Sequence, residues 1–302
     1  KAKGFFEEEG LDVEIEQPGP NDQLTPGRKV ARGMATFGIS SSESAVSFAT
    51  SDSKVQLVAV AALLQGSTSS ICVLESSGIT SPKQLDGKRY ASYDGRFEDN
   101  IVRQMVINDH GKGDVHFHSL DFHGYGESKT MTHGSVVASY LQEGRSDSTW
   151  IFTHWEAVMA KRQGVNLNLF KLEDYKIPYG YSPVILAGTD TLASSPEIVR
   201  KFLKALDKGH EFVVENPKEA VQALMAEANH PSLSDQEFLE DSQKVLGDMY
   251  LAGGKWGRME HQRWEKWVDF LCEKKIVLDR DGNVIPRSSI EVAKLFSTEY
   301  LP

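Results

Sequence analysis

Strict alternation of apolar and polar residues at Leu11-Asp12-Val13-Glu14-Ile15, directly after Gly10, predicts the end of a helix followed by a strand. Further apolar runs at 35–39, 55–60, 70–74, 87–93, 115–120, 148–152, 167–172 and 181–187 read as strands. Between them, helical spacing appears at 30–34, from Glu43 to about residue 50, at 99–109 and at 135–143. Ser81-Pro82-Lys83-Gln84-Leu85 has a capping serine and a proline at the first helical position. From Pro196 onward the pattern is mostly helical, with helices expected over 196–214, 217–228, 234–246 and 259–274. Residues 17–26 form a loop dense in Pro, Gly, Asn and Asp. Strands alternating with helices, then a helical tail, predict an α/β fold with mainly parallel sheets. The periodicity does not say how many sheets there are.

The chain has 302 residues, enough to bury roughly three quarters of the surface exposed when unfolded. The net charge of −10, without clustered Lys and Arg, argues against nucleic acid and against an anionic membrane surface. No run of about 18 apolar residues predicts a membrane span, and no signal peptide is visible. The opening Lys1-Ala2-Lys3-Gly4-Phe5-Phe6 reads as the end of a helix without its start. Cys72 and Cys272 match no metal spacing and read as buried free thiols.

Four phrases carry a resemblance. They are Ala2 to Val13, Gly33-Met34-Ala35-Thr36-Phe37-Gly38-Ile39, the stretch 77–88 beginning Ser77-Gly78-Ile79, and Val199-Arg200-Lys201-Phe202-Leu203-Lys204-Ala205. In order and spacing they resemble the bacterial aliphatic-sulfonate and pyrimidine binding proteins and the related eukaryotic thiamine-pyrimidine synthases. That resemblance implies a periplasmic-binding-protein-like clamshell of type II, with two α/β lobes joined by two crossing strands and a helical C-terminal segment. The crossings are expected near 71–75 and 184–187. Lobe I then comprises 1–75 plus 184–302, and lobe II comprises 76–183. Members usually begin with a strand carrying Trp, Asn and His near the ligand, and no such strand is found here.

Ser40-Ser41-Ser42-Glu43 lies between a strand and a helix, where open α/β folds place ligands. Hydroxyls and free N–H groups at a helix start suit a polar group, and Glu43 is able to accept from a ring amino group. A helix cap with a solvated glutamate is the plainer alternative. Tyr93-Asp94-Gly95-Arg96-Phe97-Glu98 ends a strand and opens a helix. Gly95 permits a tight turn, and Arg96 either forks onto an anion or is a solvated loop residue. In related proteins this loop binds phosphate or closes over the ligand. Trp150 and Trp155 suit stacking on a flat heterocycle, with Glu156 pairing to an aminopyrimidine edge; the alternative places one Trp in the core and the other between helices. Tyr179, Tyr181 and Ser182 offer phenols and a hydroxyl beside the second crossing, or else form a rigid turn with buried tyrosines. Trp256, Trp264 and Trp267 read as core. His116, His118, His123 and His133 lack an acidic or Cys partner at metal spacing and read as surface histidines. Asp279-Arg280-Asp281-Gly282-Asn283 has a calcium-loop look without its acidic closing ligand, and reads as a hairpin turn.

These features together lead to the expectation of a cleft that binds a small amino-heterocycle, most simply a thiamine pyrimidine precursor, without a cofactor. Binding of a sulfonate or other small anion is a further alternative. The enzymatic alternative is the synthase, which uses pyridoxal phosphate and iron and consumes its own histidine. In that enzyme, by resemblance, an aldimine-forming lysine follows the strand ending in Gly and an aliphatic residue, and the histidine comes four residues later. Registered on Phe37-Gly38-Ile39, those positions are Ser40 and Ser44. The synthase's cysteine cluster near the second crossing also has no counterpart in 179–183. A bacterial member would be periplasmic or lipid-anchored, with an ABC transporter permease as its partner; a eukaryotic one would be cytosolic.

Overall fold

The structure is a computed structural model describing residues 1–16, 24–53, 55–120, 137–228, 233–251 and 254–302. Its first elements are α1 (Phe5–Glu8), α2 (Pro26–Ala31), β1 (Phe37–Ser40), α3 (Ser42–Ala49) and β2 (Leu57–Ala62). The middle of the chain forms β3 (Ser69–Leu74), β4 (Arg89–Ser92), α4 (Glu98–Asn108), β5 (His116–Ser119), β6 (Ser148–Phe152), α5 (Val158–Arg162) and β7 (Leu167–Lys171). Then follow β8 (Val184–Gly188), α6 (Thr189–Ser194), α7 (Pro196–Glu215), α8 (Pro217–Glu227), α9 (Gln236–Leu246) and α10 (His261–Glu273).

Among the described residues the strands make two sheets, in the orders β1-β8-β2 and β5-β4-β6-β3-β7. The expectation of mainly parallel sheets is corrected. β8 returns between β1 and β2 and runs antiparallel to both, and β3 is antiparallel to β6 and β7; β4 pairs in parallel with β5 and β6. Alternation marks a strand's faces but carries no direction, so a returning strand is invisible to it. β2 and β8 are buried along their whole lengths, which is why they read as unbroken apolar runs. The chain passes between the sheets at 63–68 and again between β7 and β8, so the segments expected to be crossings are themselves strands of the sheets.

Residues 11–15 form no strand, because alternation becomes a strand only beside a partner. The C-terminal helices follow the expected periodicity within a few residues. Helix α10 buries Trp264, Trp267, Val268, Phe270 and Leu271 on one face, and Trp264 stacks on Phe296 at 5.3 Å. Trp256 is buried as well, in the cluster formed by β2, β8 and α7. The expected hairpin at 279–283 is present: Leu278 bridges Val284, and the Asp279 carboxylate accepts from the Asp281 and Asn283 amides. Cys72 is buried, Cys272 is half-buried, and both are free thiols. His123, His133 and residues 17–23 lie outside the described residues. Among the described residues no helix is long and apolar enough to cross a membrane.

Candidate functional site

Strand register brings the predicted segments to one place. Ser40 at the end of β1 and Ala62 at the end of β2 both pair with Val184, the first residue of β8. In the other sheet Phe152 at the end of β6 pairs with Ser69, the first residue of β3, and β4 runs parallel to β6. The carboxyl ends of β1, β2, β4 and β6 therefore open onto the two passages of chain between the sheets. This is the kind of crevice where α/β folds hold ligands.

On the first sheet's side, Ser41 caps α3 by position but makes no side-chain cap bond. The Ser42 amide donates to the Tyr181 carbonyl at 2.8 Å, and the buried Ser42 hydroxyl has no hydrogen-bond partner in the structure. Gly180 is needed opposite it, since a Cβ there would stand 2.2 Å from the Ser42 Oγ. The Ser40 and Ser44 hydroxyls lie 2.6 Å apart and bond each other.

Glu43, one residue into α3, lies beside the Tyr179 phenol, and burial raises its carboxyl to about 7 while the phenol pulls it down. Tyr179 is itself buried, with its ring set between Trp150 at 5.6 Å and Trp267 at 5.2 Å. Burial, then the Glu43 charge, pushes its phenol well above the usual range, with Ser182 beside it pulling the other way. Glu98 is close enough for its charge to act on the same phenol.

Glu98 is buried at the start of α4, and the preceding loop folds around it. Its carboxylate accepts from the Tyr93 amide at 3.1 Å, the Gly95 amide at 3.2 Å and the Tyr90 hydroxyl at 3.0 Å. Burial raises this carboxyl to about 7, against the pull of those donors. Arg96 turns the other way. It donates to the carbonyl and hydroxyl of Ser47, to the Thr50 hydroxyl and to the Leu278 carbonyl, so it joins the loop after β4 to the last turn of α3. Phe97 is fully buried in the core.

After β6 the Thr153 amide donates to the Thr68 carbonyl at 2.8 Å, tying this turn to the first passage. The Glu156 carboxylate accepts from the Phe152 amide at 2.8 Å, and burial raises it to about 7. Trp150 is buried beside Tyr179. Trp155 stands edge-on to Phe238 of α9 at 4.6 Å, among Val221, Leu239 and Met225. Arg162, one helical stretch later, reaches Asp235, Glu237 and Asp241 of the same region. Tyr181 faces α10: its hydroxyl accepts from the Glu260 amide at 2.9 Å, and the Arg263 guanidinium lies 4.1 Å over its ring.

The structure thus places Ser40, Ser42 and Glu43 after β1 and the loop from Tyr93 to Glu98 after β4, with the Glu43 and Glu98 charges both acting on the Tyr179 phenol. Trp150, Phe97 and Tyr181 are packed in the core, and Trp155 is packed on α9. Two residues escaped the sequence reading. The His154 Nδ1 is buried without a partner in the structure, and burial lowers the ring to about 4. Arg263 donates to the carbonyls of Gln65 and Gly180, each at 2.7 Å, and so ties the two passages together. A cavity of about 370 Å³ adjoins it, lined by Gly66, Ser67, Glu173, Pro178, Tyr179 and residues of α10. Nothing local marks an arginine whose acceptors lie on two distant turns. His154 carried a signal only as a polar residue in an apolar string.

At the two positions that the resemblance to the synthases singles out, the structure has the Ser40 and Ser44 hydroxyls bonded to each other. Among the described residues no three His, Cys, Asp or Glu side chains are grouped to hold a metal.

Residues 1–220 match the family model described as NMT1/THI5 like. A formylaminopyrimidine-binding protein of Halalkalibacterium halodurans is 27% identical over 274 residues, 89% of this chain and 77% of that protein. A 4-amino-5-hydroxymethyl-2-methylpyrimidine phosphate synthase of Candida albicans is 28% identical over 236 residues, 72% of this chain and 62% of that one. Among solved structures, the alkanesulfonate-binding protein SsuA of Xanthomonas axonopodis pv. citri, bound to MOPS, superposes with a TM-score of 0.64 at 12% identity, over 90% of this chain and 85% of that chain. The likeness to SsuA gives the fold, a two-lobed clamshell of the periplasmic-binding-protein type, and the match over 1–220 makes the chain a member of the NMT1/THI5-like family.

Proposed function

We propose that this protein binds a small amino-heterocycle of the thiamine-pyrimidine class in the crevice between its sheets and releases it unchanged. The observation that carries the reading is the Glu43–Tyr179 pair. A carboxyl held near neutrality by burial, at the carboxyl end of a strand, offers both a donor and an acceptor. An aminopyrimidine edge presents an exocyclic amine beside a ring nitrogen, which is the complementary pattern. The relative named for formylaminopyrimidine binding supports the same ligand class. A binding protein of this kind would deliver its ligand to an ABC transporter permease.

The synthase reading rests on relatives such as the Candida enzyme. Against it stand the Ser40–Ser44 pair, which supplies neither an aldimine-forming amine nor an imidazole. We therefore assign no pyridoxal phosphate and no iron to the functional protein. The test is to incubate purified protein with pyridoxal phosphate, iron(II) and air, then measure intact mass and search for a pyrimidine product. Unchanged mass and no product are expected. A mass loss localised to a histidine, or release of 4-amino-5-hydroxymethyl-2-methylpyrimidine phosphate, would overturn the binding reading.

A further inference from the structure

The loop after β4 has the shape of an anion site. Its backbone amides at Tyr93 and Gly95 converge on one point at the start of an 11-residue helix, as in loops that cradle phosphate. That point is occupied by the chain's own Glu98 carboxylate, fixed from a third side by the Tyr90 hydroxyl. The cation nearest in sequence, Arg96, is turned out of the loop and spends its guanidinium on Ser47, Thr50 and Leu278. The loop therefore meets an incoming ligand with the chain's own carboxyl filling the point where a phosphate would otherwise sit. Glu43 adds a second carboxyl, and the charges of both act on the Tyr179 phenol.

We propose that Glu98 is a specificity-determining residue that fills the anion nest and restricts the crevice to ligands without a phosphate or sulfonate group. This rests on the proposed pyrimidine reading and deepens it: the ligand is the free aminopyrimidine, not its phosphate ester. A phosphate ester would have to displace a buried, thrice-bonded carboxyl group and leave its partners to be satisfied anew, which is costly. Discrimination by an unfavourable contact of this sort needs no additional favourable contact to the correct ligand.

The experiment compares the wild-type protein with Glu98→Gly and Glu98→Gln. Ligands are 4-amino-5-hydroxymethyl-2-methylpyrimidine, its phosphate ester and inorganic phosphate, followed by calorimetry and by thermal melting. The wild type is expected to bind the alcohol and to bind the ester at least about 100-fold more weakly. Glu98→Gly should narrow that ratio by about tenfold or more. Glu98→Gln keeps the acceptor but loses the charge, so it should narrow the ratio by less. Inorganic phosphate should raise the melting temperature of Glu98→Gly and leave that of the wild type unchanged. Equal wild-type affinity for alcohol and ester would overturn the inference while leaving the binding reading intact. Binding of neither pyrimidine would overturn the binding reading. The melting comparison decides the role of Glu98 without any pyrimidine: if phosphate stabilises Glu98→Gly no more than the wild type, the nest is not an anion site and the inference fails. If Glu98→Gly does not fold without anion, folding restored by phosphate supports it and failure of phosphate to restore folding overturns it.

Discussion

Arg96 and Ser47 are joined across the crevice: the guanidinium of the loop after β4 donates to the Ser47 carbonyl at 2.9 Å and to its hydroxyl at 2.7 Å. The same group reaches the Leu278 carbonyl, so one side chain links the second sheet's loop to two segments packed with the first sheet. Cations at the carboxyl end of a helix such as α3 are favoured by its exposed carbonyls. Lysine cannot span these acceptors, because it lacks the planar fork. Arg96→Lys is expected to cost less than about 1 kcal/mol of global stability, as the bonds are exposed. Ligand affinity should fall roughly three- to tenfold, because the closed arrangement is less populated. Small-angle scattering of the unliganded variant should show a larger radius of gyration than the wild type. An unchanged radius and affinity would show that Arg96 does not hold the two halves together.

Glu43 makes a prediction about pH. Its folded-state carboxyl is raised to about 7 against an ordinary value of 4.5, mainly through burial and against the pull of the Tyr179 phenol beside it. Between those values the folded protein holds a proton that the unfolded chain has lost. The contribution of Glu43 is therefore fully present below about pH 4.5 and is lost as pH rises to about 7. Glutamine keeps the acceptor for Tyr179 and does not titrate. Glu98 and Glu156 are raised and His154 and His210 are lowered, so all four shape the wild-type curve, and they largely cancel in the difference from Glu43→Gln. Wild-type stability relative to Glu43→Gln should fall by on the order of 2 kcal/mol across that window and be level above it. Urea unfolding at a series of pH values measures this; a flat difference would show that Glu43 is solvated like an ordinary surface carboxylate.

Trp155 packs on Phe238, and its substitution should act on stability. Trp155→Ala removes a half-buried ring from the contact between the turn after β6 and α9, at a cost of roughly 1–3 kcal/mol. A double-mutant cycle with Phe238→Ala should give a coupling of about 0.5–1.5 kcal/mol, the range for an edge-on aromatic pair. Unchanged stability together with a large loss of pyrimidine affinity would place the ring on the ligand instead.

The order of elements was legible because each carries its own period. The unbroken apolar run of β2 and the one-sided spacing of α10 both reflect local burial that a window of sequence captures. The direction and placement of β8 were not, since pairing with β1 and β2 depends on residues more than a hundred positions away. The placement of Ser40 at the end of β1 and of Ser42 and Glu43 at the start of α3 was legible from the switch of period between them. The inward turn of Glu98 was not, because an acidic residue in a first helical turn ordinarily faces solvent. Trp155 advertised a ring but not its partner, as Phe238 enters from a helix far along the chain.

The central claim is that the crevice takes a free aminopyrimidine. Calorimetric titration of the native protein with formylaminopyrimidine, beside an identical titration with MOPS, tests it most directly. The account predicts one-to-one binding of the pyrimidine at about micromolar Kd or tighter, weakened roughly tenfold or more by Glu43→Ala, and no measurable heat from MOPS. Binding of MOPS with no binding of the pyrimidine would contradict it and identify the crevice as an anion site.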